Sequence, residues 1–211
     1  KLSNGVAAPI TTFTERNKRV NSVYGTATLS YANKIFLDVT GRNDWSSTLP
    51  SGNNSFFYPS VSTSFILSDL LRLPEQISFA KLRASWAQVG NDTDPYKTAK
   101  YYNTSAFPGS ASVSPTLYNA RFKPEISNSI EVGLDWRMFK QRFGLDLAFY
   151  NNITRNQILD VPMDQTTGYT KATMNSGKVR NRGIELQLDG TPVKTKNFTW
   201  NSTFTWAKNY N

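Results

Sequence analysis

Histidine and cysteine are both absent from the 211 residues, and together these absences remove most small-site chemistry. Without imidazole or thiolate there is no Ser-His-Asp or Cys-His nucleophilic centre and no imidazole or thiolate zinc site. A disulfide scaffold is excluded too, but the compartment stays open, because a cysteine-free chain suits an oxidising space as well as a reducing one. No apolar run reaches about 18 residues, so no transmembrane helix is encoded. The charged, polar opening does not read as a signal peptide, which leads us to expect mature-chain numbering or a fragment. No glycine-rich phosphate loop follows a strand. Acidic residues are the minority: 15 Asp and Glu stand against 24 Lys and Arg, for a net charge of +9. These cations are scattered singly apart from Arg16 to Arg19, which argues against nucleic acid as a partner.

Aromatic residues are plentiful at 13% while hydrophobic residues reach only 38%. That balance is thin for a soluble core and natural for a barrel wall one residue thick around a polar lumen. The pattern is clearest over 127–153. Ile130, Val132, Leu134 and Trp136 alternate with Ser129, Glu131, Gly133 and Asp135, and Phe143, Leu145, Leu147 and Phe149 alternate with Gly144, Asp146, Ala148 and Tyr150. Side chains of a strand point to opposite faces with period two, so each run has one greasy and one wet face. A soluble sheet with one buried face and a membrane barrel both write this pattern.

Similar runs occupy 21–31, 35–42, 57–67, 77–89, 182–190 and 198–206, which makes eight strands. Residues 1–19, 43–55, 90–125 and 154–177 read as loops, the last with a short strand near 157–161, and 68–75 as a connection with one helical turn. Connections alternate between short (32–34, 68–76, 138–141, 191–197) and long. In an up-and-down antiparallel sheet, alternate connections share an edge, so one edge carries tight turns and the other the long loops, as in outer-membrane barrels. Trp136 and Phe198 fall near the short-turn edge, and Trp45, Tyr58, Tyr150 and Trp206 near the other, as two interfacial girdles would. The expected fold is an all-β, antiparallel, up-and-down transmembrane β-barrel, present in part. Leu134, Leu145 and Leu147 are expected to face lipid. Arg83, Glu131, Asp135, Asp146, Glu185 and Asp189 are expected to face the lumen, with Lys81 and Arg182 on the same polar face. A mutually neutralising wall explains these carboxylates better than a glycosidase pair does.

In the long loop, Tyr96, Tyr101, Tyr102, Phe107 and Tyr118, with Trp45 across the rim, offer flat faces to a ligand, although loop packing explains them equally. Asp92 and Asp94 alternate as in calcium loops, and turn formation before Pro95 is the simpler reading. No cofactor is expected.

Several stretches resemble landmarks of SusC-like (RagA-like) TonB-dependent outer-membrane transporters. They are Gly41-Arg42-Asn43-Asp44-Trp45-Ser46-Ser47, Phe57-Tyr58-Pro59-Ser60-Val61-Ser62 leading to Ser68-Asp69, and Lys81-Leu82-Arg83-Ala84-Ser85-Trp86 with Gly90-Asn91. Phe122-Lys123-Pro124-Glu125, Glu131 with Gly133, 150–154 and Asn181-Arg182-Gly183-Ile184-Glu185 follow in the family's order. The resemblance implies about eight strands of a plugged barrel of about 22, from an internal part of its C-terminal half, with 1–211 belonging to one barrel domain and the plug lying elsewhere. It also implies an outer-membrane location in a Bacteroidetes-type bacterium, no enzymatic activity, and import of oligosaccharides or peptides. The implied partners are a SusD-like surface lipoprotein, outer-membrane lipid, and TonB through an N-terminal part that has no counterpart here. A passive porin-like or structural barrel and a soluble all-β glycan-binding domain are the alternatives.

Overall fold

The computed structural model describes residues 15–104 and 109–211. Phe107 and most of the opening segment lie outside the described residues. Eight long strands form one antiparallel sheet: β1 (Val20–Tyr31), β2 (Ile35–Ser46), β3 (Ser55–Ile66), β4 (Ile77–Asn91), β8 (Glu125–Met138), β9 (Phe143–Pro162), β10 (Lys171–Lys194) and β11 (Thr199–Tyr210). Each pairs with the next in chain order, except that β4 reaches β8 across a segment holding β5 (Tyr102–Thr104), β6 (Ala111–Val113) and β7 (Thr116–Leu117). Among the described residues β1 and β11 do not pair, so the sheet is an open arc of wall.

Register carries the alternation across the whole arc. Leu29, Leu37, Thr63, Ala84, Val132, Phe149 and Ile184 follow one another on neighbouring strands, and so do Leu82, Leu134, Leu147, Leu186 and Trp206. This face is uncovered: Val23 is 66% exposed, Leu29 62% and Phe204 56%. A soluble protein rarely leaves an apolar surface of this extent to water, and lipid is the solvent that suits it. Leu134, Leu145 and Leu147 lie on it.

The tight edge follows local chemistry. Ala32 and Asn33 take φ of 52° and 55°, and Lys34 N–H donates to the Tyr31 carbonyl at 3.0 Å, closing a two-residue turn that fits the strand twist. One helical turn, α1 (Leu67–Leu70), occupies the β3–β4 connection.

The strict length alternation is not observed. The 67–76 connection at the tight edge is longer than 47–54 and 163–170 at the other, and only 92–124 is truly long. The physical reason is strand extension: 43–46, 154–162 and 171–181 continue the ladders. Above a membrane both faces of a strand meet water, so the ladder persists after the hydrophobic alternation has stopped. The short strand expected near 157–161 is the upper part of β9. Asn156, at φ 56°, faces register shifts at 175–178, where the projecting β9–β10 hairpin is bulged.

Candidate functional site

Two surfaces can meet a solute: the polar face of the sheet and a cleft at its outer rim. On the polar face, Arg83 lies across β8 and donates Nη1 and Nη2 to Asp146 on β9 at 3.1 and 2.8 Å. Its Nε stands 3.8 Å from Glu131. Arg137 repeats the arrangement one register lower, reaching Asp135 at 2.8 Å and, across β9, Asp189 on β10 at 3.2 Å. Glycines make both crossings: a Cβ at Gly133 would collide with the Arg83 guanidinium, and one at Gly144 with that of Arg137. Asp189 also accepts from Thr203 at 2.9 Å and from Gln187. Glu185 joins Arg83, Glu131 and Asp146 around a shallow cavity of about 420 Å³. All six residues expected at the lumen therefore share one face, on which Arg83 bridges Glu131 and Asp146, Arg137 bridges Asp135 and Asp189, and Glu185 lines the cavity beside them. Arg137 is a partner that reading the 127–138 run one step further would have found.

Arg182 does not join them. Its register places it beyond Ile184 on the apolar face, opposite Tyr210. Tyr58 and Tyr150 also differ from the girdle expected of them. Tyr58 donates to Asp44 and stacks at 6.0 Å on Phe56, and the Tyr150 hydroxyl meets Asn209 at 3.2 Å, so both belong to the polar face. Trp45 and Trp206 are the rim aromatics on the apolar side, 40% and 44% exposed. Trp45 thus stands in β2, apart from the loop tyrosines with which it was grouped.

The long outer segment is fastened at both ends. At its start, Asp92 accepts from Ser46 at 2.5 Å and Thr48 at 3.2 Å and pairs with Lys18. At its end, Phe122 is fully buried against Leu49 and Phe56, with Tyr58 and Ile158 alongside. Asn175 clamps the Lys123 backbone, accepting from its N–H at 3.0 Å and donating to its carbonyl at 2.9 Å, while Glu125 accepts from the Ile158 N–H at 2.6 Å. Asp94 pairs with Lys97 at 3.3 Å, and no group of three metal-ligating side chains occurs among the described residues.

Between these fastenings the segment encloses a cleft of about 300 Å³ against the β9–β10 hairpin. Tyr96, Tyr101 and Tyr118 form an edge-to-face series with centroids 6.2 and 6.5 Å apart. Tyr102, 67% exposed, stands outside it. Opposite the tyrosines, Asp160 accepts from Lys171 at 2.7 Å and Thr173 at 2.6 Å. Sequence reading missed Asp160, Lys171 and Thr173, because only the fold of the hairpin brings them to the tyrosines. Asp160 stands 17 residues above Phe143, well outside a membrane band about 25 Å tall. The Lys171 ammonium, then the Thr173 hydroxyl, hold the Asp160 carboxyl below its usual range, and Asp160 raises Lys171. The stabilisation from Asp160 is present above the ordinary carboxylate pKa and is lost as pH falls through the lowered one. Acidification to about pH 3 is therefore expected to loosen the cleft, read as faster amide exchange at 171–173 while the tight-edge turns stay protected. Unchanged exchange would contradict this.

The comparisons agree with this geometry. Residues 2–211 match the family model described as TonB dependent receptor-like, beta-barrel. TonB-dependent receptor P26 of Formosa agariphila is 33% identical over 202 residues, covering 92% of this chain and 20% of that protein. TonB-dependent receptor SusC of Bacteroides thetaiotaomicron is 26% identical, covering 95% and 21%. Among solved structures, the RagAB peptide importer in its closed-closed state superposes with a TM-score of 0.82 at 23% identity, covering 90% of this chain and 22% of that one. The chain spans about a fifth of the length of these curated relatives, which are receptors and transporters and not enzymes. The chain belongs to the TonB-dependent receptor β-barrel family, and forms a stretch of outer-membrane barrel wall.

Proposed function

We propose that this wall serves an energised importer that takes up oligosaccharides or peptides together with a SusD-like surface lipoprotein. TonB would act through a part of the protein other than residues 1–211, which belong to a single barrel domain. The observation that carries the reading is the cleft of Tyr96, Tyr101 and Tyr118 beside Asp160 and Lys171. It stands at the outer mouth, where a ligand would be handed to the lumen, and pairs aromatic faces with paired charges and hydroxyls. Ligand sites combine apolar faces with a few polar groups that fix orientation in this way. The names of the relatives SusC and RagAB support the transport reading.

The test is uptake by cells carrying the full-length gene and its neighbouring lipoprotein gene, supplied with fluorescent oligosaccharides or peptides. A Tyr101→Ala/Tyr118→Ala variant is expected to raise the half-saturating concentration by about tenfold or more, as loss of two aromatic contacts does. An uncoupler of the proton gradient should abolish uptake. Uptake that survives the uncoupler would instead describe a passive pore.

A further inference from the structure

Charge is distributed unevenly over the lipid-facing side of the sheet. On β2, β3, β4 and β8 this face carries no charged side chain, and its outer part presents Trp45, Phe57, Trp86 and Ile130. On β9, β10 and β11 the same face ends in five cations: Arg155, Lys178, Arg180, Arg182 and Lys208. Register places them there. Arg182, Arg180 and Lys178 continue the row of Leu188, Leu186 and Ile184, Lys208 continues Phe204 and Trp206, and Arg155 stands opposite Lys178. Side-chain geometry agrees, because Arg182 and Lys208 both lie over the Tyr210 ring, 5.9 and 5.1 Å from its centroid. Arg180 donates to Asn151 at 2.7 Å. All five are exposed, and among the described residues none pairs with a carboxylate.

Depth identifies what they meet. Arg182 is twelve residues from Lys194 at the tight end of β10. At about 3.4 Å per residue and a tilt of about 40°, this puts it about 30 Å across the membrane, just past an apolar band of about 25 Å. Lys178, four residues beyond Arg182 on β10 and opposite Arg155, stands roughly 10 Å further out, within the headgroup layer. Between these cations runs a groove of about 290 Å³, floored by Phe149, Ile184 and Tyr210 and edged by Arg180 and Arg182.

We infer that this groove binds a phosphorylated glycolipid of the outer leaflet. Guanidinium groups take phosphate oxygens in pairs, the Tyr210 ring suits the face of a headgroup sugar, and Phe149 and Ile184 meet the first methylenes of the acyl chains. The apolar floor and the headgroup depth select a membrane lipid over a soluble phosphate.

The test uses the full-length transporter, delipidated in detergent and followed by native mass spectrometry. The probes are monophosphoryl lipid A, its dephosphorylated counterpart and inorganic phosphate. Monophosphoryl lipid A is expected to stay bound to the parent and to be retained at least tenfold less by Arg180→Gln/Arg182→Gln/Lys208→Gln. Arg180→Lys/Arg182→Lys, which keeps the charge and loses the paired donors, is expected to retain more lipid than the glutamine variant and less than the parent. Equal retention by the glutamine variant would overturn the assignment, as would equal binding of the dephosphorylated lipid. Displacement by millimolar inorganic phosphate would also overturn it, marking a free-anion site. Heat-modifiable gel mobility checks that the barrel is intact, and if the triple variant is not, Arg182→Gln alone is expected to lose about two thirds of the retained lipid. Import is not part of this readout, so lipid retention by a barrel that imports neither oligosaccharide nor peptide would separate this site from the function proposed above.

Discussion

Replacing Phe122 with alanine is expected to detach the 92–124 segment from the rim while leaving the sheet intact. Among the described residues Phe122 is the one large apolar side chain at 0% exposure, and its partners Leu49, Phe56 and Ile158 come from the β2–β3 connection, β3 and β9. Truncating a buried phenylalanine costs about 3–5 kcal/mol. Here the cost falls on one local unit, because the ladders that hold the strands do not involve it. The measurement is limited trypsin digestion of the full-length transporter, read at Lys97, Lys100 and Arg121. Cleavage should accelerate by about a hundredfold or more, since each 1.4 kcal/mol of local opening is worth about tenfold, with the melting temperature of the barrel almost unchanged. Cleavage at the parent rate would mean that the clamps at Asn175 and Glu125 hold the segment without the aromatic anchor. Gly90 belongs to the same device, because a Cβ there would collide with the Phe56 ring.

Introducing leucine at Gly133 is expected to destabilise the wall itself. Gly133 pairs with Arg83 on one side and Ala148 on the other, and Arg83 crosses the space where its side chain would lie. A leucine must displace the guanidinium, which leaves Asp146 without its two donors and near Glu131. Overpacking costs about 1–3 kcal/mol, and a pair about a third exposed adds about 1 kcal/mol. A comparison with Arg83→Met separates the two effects. If the glycine exists to seat the arginine, Gly133→Leu/Arg83→Met should melt higher than the sum of the two single losses predicts. Strict additivity in thermal melting would refute that role.

Legibility followed the solvent. Within the membrane band one face meets hydrocarbon and the other water, so period two is written into the residues and the strands around Leu82, Leu134 and Leu147 could be read directly. Above the band both faces are wet, and polar stretches such as 154–162 and 171–181 look like loops although they are ladder. Arg182 shows the same limit from the other side. Counted by parity it belongs with Ile184, yet its charge invited a place among the lumen carboxylates. The residues expected at the lumen were legible as a shared face, whereas their pairing across intervening strands was not, because Arg83 and Asp146 are 63 positions apart and meet only through register.

The sequence by itself determined eight strands, each with one greasy and one wet face, and a thin apolar complement that suits a membrane wall better than a soluble core. Register determined everything lateral, since a sheet brings together residues that are remote in the chain and a slip of one position would move every side chain to the opposite face. The arginines crossing Gly133 and Gly144, the tyrosine cleft against Asp160, and the cation rim around Tyr210 were therefore decided only when eight strands lay side by side.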